Sequence, residues 1–194
     1  MLYTRKGDNG TTGTFGCNQR ISKSSSVAEA LGALDECNSF LGVIRARTSD
    51  LSFELHEKIN PHTKNSVRVN SAELMLEVQQ NLFIVQAEVA GTDMGISEEK
   101  VKRVEEIVDA IEKILPPITT FFISGATELG ALFDFARTLS RRAERRVIAV
   151  HEEGKVKVST GTLAYLNRLS SLMYALARIT SHVQGQEEVK PSYE

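Results

Sequence analysis

Cysteine, proline and long apolar runs are scarce in this sequence of 194 residues. Its two cysteines, Cys17 and Cys37, are too few and too isolated for a disulfide framework or a zinc site, which suits a reducing compartment. No apolar run approaches the ~18 residues of a membrane span. The first ten residues, MLYTRKGDNG, lack the apolar core of a secretory signal. We therefore expect a cytoplasmic protein with no membrane partner.

An excess of charge of either sign is also missing. The chain has 23 Lys and Arg against 25 Asp and Glu, for a formal net charge of −2. This balance argues against a generally basic nucleic-acid coat, so we expect no nucleic-acid partner. The 41% hydrophobic and 25% charged residues are ordinary for a globular protein. The length favours a single domain, residues 1–194.

Familiar catalytic motifs are absent as well. There is no GxSxG motif or paired Cys/His arrangement for hydrolytic nucleophilic catalysis, and no GxxxxGK[ST] loop for a Walker A phosphate site. The four histidines are scattered, without the His-x-x-x-His or Glu-x-x-His spacing of a di-iron bundle. Any chemistry must therefore depend on other groups.

Helical periodicity is the dominant pattern that the sequence contains. Apolar residues recur at steps of three and four over residues 26–47, 71–91, 97–115, 134–150 and 162–182. Since few stretches alternate as strands do, the pattern predicts an all-α protein. Residues 50–70 resemble a long loop, and the tail at 185–194 a disordered segment. We expect Ser26 to cap the first helix, and either Ser124 or Thr127 to cap the fourth.

The fourth helix carries an unusual concentration of arginine. Its run RTLSRRAERRV puts Arg137, Arg141 and Arg145 opposite the apolar stripe, with Arg142 and Arg146 at the flank. Like charges one turn apart repel by a few tenths of a kcal/mol, so a bound anion or acidic partner would offset the cost. The planar fork of arginine suits bidentate contact with carboxylate or phosphate. A solvated charged face is the alternative interpretation.

Two non-helical segments are also candidates for binding. Residues 3–16, YTRKGDNGTTGTFG, are too rich in glycine and threonine for a helix. Successive backbone N–H groups in such a loop can form an anion-binding concavity, and Arg5 and Lys6 add positive charge; a frayed terminus is the alternative. Before the arginine helix, Phe121 and Phe122 are adjacent, so both cannot face one core. One of them is free to line a pocket.

Four stretches together resemble the PduO-type ATP:cob(I)alamin adenosyltransferases, in the family's order and spacing. They are TRKGDNGTTGTFG, LGALDECNSFLG, RTLSRRAERRV and YLNRLSSLMYALAR. The resemblance implies a five-helix bundle, residues 24–184, behind a nucleotide-binding loop, residues 1–23. It also implies a homotrimer with active sites between neighbouring subunits, and transfer of the adenosyl group of ATP to cob(I)alamin. Mg²⁺ would be held mainly by the ATP phosphates, and a reductase or reduced flavin would donate the electron.

The resemblance assigns site residues too. The ATP-binding residues would be Thr4, Arg5, Lys6, Gly7, Asp8, Gly10, Thr11, Thr12, Lys23, Arg141, Glu144 and Asn167. Arg137 would pair with Asp35 of a neighbouring subunit at the corrinoid, and Phe121 would lie beneath the corrin ring. Neither member of the pair has a partner of opposite charge four residues away on its own helix. The expected catalytic residues are therefore Arg141, Arg137, Asp35 and Phe121.

The chain also departs from the family pattern. It has serines at 24–26, where the family often has Asp-Pro-Arg, at Ser124 in place of a proline and at Ser171 in place of an acid. These differences affect loop details and contacts to the corrin face. Two alternatives stay open: a helical module that binds nucleic acid or an acidic partner through the arginine face, and a different ATP-dependent transferase on the same bundle.

Overall fold

Five helices make up the body of the protein, as the periodicity predicted. The structure is a computed structural model, which describes residues 3–14, 20–48, 52–56 and 66–194. The helices are α1 (Ser26–Arg47), α2 (Ser71–Val89), α3 (Glu98–Glu112), α4 (Glu128–Glu152) and α5 (Thr160–Val183). Cys17 lies outside the described residues. None of the described helices combines the length and apolar character needed to cross a bilayer.

One hydrophobic core joins all five helices. The apolar stripes predicted on α1, α2, α4 and α5 are buried there, with Leu34, Leu82, Val147 and Leu166 fully inaccessible to solvent. Helix α4 packs against both α1 and α5, α1 also packs against α2, and α3 against α5. The bundle is therefore arranged around α4, the helix that carries the arginines.

Helix α1 runs antiparallel to α4, as three polar contacts at successive positions along the two helices show. The Ser26 hydroxyl at the start of α1 donates to Glu153 just after α4, at 2.6 Å. Glu36 forms an ion pair with Arg142 near the middle, and Arg47 at the end of α1 forms one with Glu128 at the start of α4. These pairs fix which parts of the two helices face each other.

Caps and boundaries differ from the prediction in detail. Ser25, not Ser26, caps α1: its hydroxyl accepts from the Ala28 N–H at 3.3 Å, and this frees Ser26 to reach Glu153. Thr127 caps α4 by accepting from the Gly130 N–H at 3.0 Å. Helix α4 therefore begins at Glu128, six residues before the stretch that the periodicity marked.

Two short hairpins were missed. Strand β1 (Thr11–Gly13) pairs with β2 (Arg20–Ser22), and β3 (Ser52–His56) pairs with β4 (Ser66–Asn70), both antiparallel. Residues 50–70 are therefore not simply a loop. The alternation of SFELH and SVRVN is a strand pattern, but five-residue segments are easily overlooked beside long helices. The all-α class still describes the body of the fold.

The first half of the tail, which the sequence predicted to be disordered, makes two contacts with the body of the protein. The Ile123 N–H donates to the Val189 carbonyl at 2.7 Å, and Glu188 forms an ion pair with Arg178 of α5. Because Ile123 lies far from the tail in sequence, no local pattern could have predicted its contact with Val189.

A buried carboxylate organises the start of α5, and the packing there gives a prediction on stability. Glu88 of α2 accepts from the Ser159 N–H at 2.7 Å and from the Thr162 hydroxyl.

Gly161 lies between these two residues, where a Cβ would overlap the Ile96 carbonyl oxygen. We expect Gly161→Ala to lower the free energy of unfolding by about 1–3 kcal/mol, measured by chemical denaturation. Gly32→Ala on α1, where a Cβ meets nothing within 4 Å, should instead raise it by about 0.5–1 kcal/mol. Equal effects of the two substitutions would contradict the packing argument.

Candidate active site

The arginine face of α4 is only partly neutralised within one chain. Arg142 pairs with Glu36 of α1. Arg137 donates from Nε to Asp134 Oδ1 at 2.7 Å. It therefore has an acidic partner on its own helix, at a spacing of three residues rather than the spacing of four considered in the sequence. The other arginines of this face are exposed and form no ion pair within the described part of the chain; they are Arg141, Arg145 and Arg146.

Glu144 and Asn167, both predicted at the nucleotide, are in contact. The Asn167 Nδ2 donates to Glu144 Oε1 at 2.9 Å, joining α5 to α4. Arg168 holds the other end of the amide, donating to Asn167 Oδ1 at 2.7 Å while its Nε donates to Glu105 of α3 at 2.8 Å. Glu144 is 9% exposed and lies one turn from Arg141. The pair is thus a preorganised polar group beside an unpaired arginine.

The N-terminal loop is folded on itself. Gly10 has φ = 78°, a left-handed conformation that favours glycine, and its N–H donates to the Gly7 carbonyl at 3.1 Å while its own carbonyl accepts from the Lys23 N–H at 2.9 Å. The Lys23 ammonium lies 3.1 Å from where a Cβ on Gly7 would be. The structure therefore brings Lys23 to the loop, which leaves little room for a side chain at position 7.

Arg20 organises this loop and was not among the predicted residues. Its Nη2 donates to the carbonyls of Lys6 at 2.6 Å and Thr11 at 2.8 Å, and its Nε to the Thr11 hydroxyl at 2.8 Å. One guanidinium thus joins the two ends of the segment from Lys6 to Thr11. The only sequence signal was an arginine following a glycine-rich loop, which does not by itself indicate a contact.

Asp35 and Phe121 face solvent in the isolated chain. Asp35 is exposed on α1 and forms no ion pair within the described residues; the predicted link to Arg137 is not made inside one subunit. The Phe121 side chain is 79% exposed. Its neighbour Phe122 is half-buried and lies under the Arg178 guanidinium, which is 5.1 Å from the ring centroid. The two adjacent phenylalanines therefore have different environments.

The predicted residues fall into three groups along α4. The N-terminal loop joins α1 beside Glu153, the Arg141–Glu144–Asn167 group lies near the middle, and Phe121 precedes the start of α4. A 25-residue helix is about 37 Å long at 1.5 Å per residue. Within the described part of the chain, no hydrogen bond or ion pair joins the loop at 4–12 to the middle group.

Titration and metal binding add two constraints. Hydrogen bonds from Lys155 and Ser26 lower the pKa of Glu153, so its carboxylate stays charged where the loop joins α1. Burial raises the pKa of Cys37 to about 12, which makes this thiol a core residue without nucleophilic function. Among the described residues, no group of three or more His, Cys, Asp or Glu side chains could hold a metal ion.

Comparison with known proteins identifies the family. The sequence profile described as cobalamin adenosyltransferase matches residues 2–180, so the chain belongs to the cobalamin adenosyltransferase family, as its motifs indicated. It is 34% identical over 188 residues to the corrinoid adenosyltransferase PduO of Citrobacter freundii, covering 97% of this chain and 52% of that protein. It is 33% identical over 199 residues to a corrinoid adenosyltransferase of Bacillus subtilis, covering 97% and 91%.

The fold agrees with this membership. A solved structure of a phenylalanine-to-histidine variant of a PduO-type ATP:corrinoid adenosyltransferase from Lactobacillus reuteri, complexed with cobalamin and ATP, matches with a TM-score of 0.82. The identity is 26%, and the match covers 100% of this chain and 97% of that one. The chain spans about half the length of the PduO relatives that it matches.

The contacts of Arg20 give a prediction on the loop. Three hydrogen bonds worth about 0.5–1.5 kcal/mol each are lost in Arg20→Ala, so backbone amides of residues 6–12 should exchange at least about tenfold faster. Mass spectrometry of deuterium uptake measures this, with Arg45→Ala, an exposed arginine at the end of α1, as control. Unchanged exchange in Arg20→Ala would mean that the loop keeps its shape without the guanidinium.

Proposed function

We propose that this chain moves the 5′-deoxyadenosyl group of ATP to the cobalt of cob(I)alamin, giving adenosylcobalamin and tripolyphosphate. In a member of this family, the observation that carries the proposal is the exposed Arg141, which forms no ion pair within the described residues and lies beside the fixed Glu144–Asn167 pair. A cation with no internal partner next to an oriented amide is suited to hold the phosphates of a nucleotide. The Lactobacillus relative, which binds both cobalamin and ATP, supports the choice of substrates.

The reaction depends on the positioning of the two substrates more than on acid–base catalysis. Cobalt(I) supplies the electron pair of the new Co–C bond to the ribose C5′, and the C5′–O bond breaks with its pair leaving on tripolyphosphate. Cob(I)alamin is nucleophilic enough to need no general base, which agrees with a chain that lacks a hydrolytic motif. The protein must hold the two substrates in line and stabilise the departing charge. We assign this work to Arg141, Lys23 and the N-terminal loop, residues 4–12.

Magnesium enters this scheme with the nucleotide. The described residues offer no cluster of metal-binding side chains, so ATP phosphates would supply most of the ligands, as is common for Mg²⁺. The ion would neutralise part of the triphosphate charge as it leaves.

The separation of the predicted groups supports a homotrimer. The loop and Phe121 lie at opposite ends of α4, and Asp35 is exposed without an ion pair in the described chain. We infer that one subunit's loop meets the arginine face of its neighbour, so that each active site lies between two chains. A cytoplasmic reductase or reduced flavin would supply the electron that makes cob(I)alamin.

The decisive experiment incubates the protein with ATP, Mg²⁺ and chemically reduced cobalamin, and follows absorbance together with chromatography of the products. We expect adenosylcobalamin and tripolyphosphate in equal amounts. Release of ADP or AMP without a Co–C bond would overturn the proposal. Transfer to another acceptor would favour a different transferase, and salt-sensitive polynucleotide binding without turnover would favour a binding module.

Arg141 gives a direct test of phosphate binding. It lies on the exposed face of α4, away from the core, so Arg141→Ala should leave the melting temperature unchanged. Loss of its charge-assisted contact should lower kcat/KM by about 10²–10³. Arg103→Ala removes an exposed arginine of α3, a helix that carries none of the proposed site residues, and should retain normal kcat/KM. Normal turnover in Arg141→Ala would contradict the role assigned here.

Asp35 and Arg137 test the interface between subunits. If they pair across it, Arg137→Ala leaves the Asp35 carboxylate without its partner at the interface, at a cost of about 3–5 kcal/mol. Asp35→Ala should cost less, because Arg137 keeps Asp134, but both substitutions should weaken assembly or activity. A double-mutant cycle on trimer stability and kcat/KM should find coupling between them. The cycle of Arg137 with Asp134 is the control, because that pair is 31% and 22% exposed on one helix and should couple by only about 0–1 kcal/mol. Absence of coupling between Asp35 and Arg137 would refute the pairing.

Phe121 tests the corrinoid site. A large apolar ring against the lower face of the corrin would displace the axial ligand and exclude water, which makes reduction of cob(II)alamin easier. Phe121→Ala should therefore lose much more activity with cob(II)alamin and a mild reductant than with chemically reduced cob(I)alamin, which has no lower ligand to displace. The ratio of the two rates measures the effect, and equal losses in both assays would assign Phe121 a packing role only.

A further inference from the structure

Arg178 is a buried cation that contacts both the tail and the segment between α3 and α4. It lies on α5 with only 5% of its surface exposed. Its Nε donates to Glu188 Oε2 in the tail at 3.0 Å, and its Nη1 donates to the Pro116 carbonyl after α3 at 3.4 Å. Its guanidinium also lies over the ring of Phe122, 5.1 Å from the centroid. No step of the proposed reaction uses this side chain, so its burial needs another explanation.

Arginine is the residue type that can make all these contacts at once. Its planar group pairs with a carboxylate along the edge while the face stacks on an aromatic ring. Such a buried charge is tolerated only while its partners are present, because removing the carboxylate leaves the cation uncompensated. The Arg178–Glu188 pair therefore ties the tail to α5, and the Ile123 N–H to Val189 carbonyl bond of 2.7 Å ties the tail to the segment before α4.

The segment held in this way is the one that carries Phe121. Residues 116–123 contain neither helix nor strand, so these contacts, rather than a backbone ladder, define the segment's shape. Phe122 and Ile123 are both held by these contacts, and Phe121, which directly precedes them, is exposed. A cavity of about 400 Å³ lies alongside, lined in part by Pro117, Phe122, Arg178 and Glu188. The segment would have room to move into it if the contacts were lost.

We propose that Arg178 and Glu188 are positioning residues, which hold the 116–123 segment so that Phe121 meets the corrinoid. This inference rests on the proposed adenosyltransferase function and on the role given to Phe121. It makes residues 184–189 of the tail a support of the corrinoid site, although none of them needs to touch either substrate. The nucleotide loop lies at the other end of α4, so the effect should be specific to one substrate.

The test replaces Glu188 by glutamine and uses Glu187→Gln as the matched control. Glu187 is the neighbouring acid in the tail and forms no ion pair within the described residues. In the assay with cob(II)alamin and a mild reductant, we expect Glu188→Gln to raise KM for the corrinoid about tenfold while KM for ATP stays within about twofold. Glu187→Gln should change neither constant. In the Phe121→Ala background, Glu188→Gln should add no further loss, because the ring that it positions is gone.

Several outcomes overturn the inference. One is equal behaviour of Glu188→Gln and Glu187→Gln; others are a parallel rise of both KM values, or a full additional loss in the Phe121→Ala background. If Glu188→Gln fails to fold, Phe122→Leu replaces it: this change removes the stacked ring but leaves the ion pair, and it should likewise raise KM for the corrinoid alone. Wild-type protein that makes no adenosylcobalamin would reject the proposed function instead, so the two failures are distinguishable.

Discussion

The antiparallel packing of α1 on α4 is the constraint on which the rest of the structure depends. It brings Ser26 to Glu153, Glu36 to Arg142 and Arg47 to Glu128. Because the N-terminal loop is attached to the start of α1, this packing puts the loop at the end of α4. The same helix begins just after Phe121. The length of α4 therefore separates the two segments that the proposed reaction must bring together, which is why we assign the site to two chains.

Along α4, arginines that form ion pairs within the described chain alternate with arginines that form none there. Within the described part of the chain, Arg142 pairs with Glu36 and Arg137 with Asp134, whereas Arg141 forms no ion pair there and lies beside a glutamate held by an amide. A helix that paired all its arginines internally would have none left for a nucleotide. Family membership and the relative complexed with cobalamin and ATP are consistent with the phosphate-binding role proposed for Arg141.

Much of the fold followed from periodicity, whereas the hairpins and tail did not. Stripes such as Leu34, Cys37 and Leu41 recur over many turns, so they predicted both the helix and its buried face. A five-residue strand like Ser52–His56 repeats too few times for its pattern to compete with that of a helix. At the proposed site, the motifs named residues of the loop and of α4. The contacts by which Arg20 holds the loop could not be predicted from the sequence. Two of its hydrogen bonds go to backbone carbonyls, which every residue has and which therefore carry no sequence signal.

The sequence by itself therefore determined the helical bundle, its core and its family, because these depend on repeating side-chain patterns and on short motifs. The tertiary structure was needed to show which charged side chains form ion pairs within the described part of the chain and which do not. It separated Phe121 from Phe122, 79% exposed against half-buried, and it joined Arg178 to Glu188 across the end of the bundle. The physical reason is the same in each case. Burial and pairing depend on how the helices and the segments around them pack, and a local sequence pattern does not record that packing.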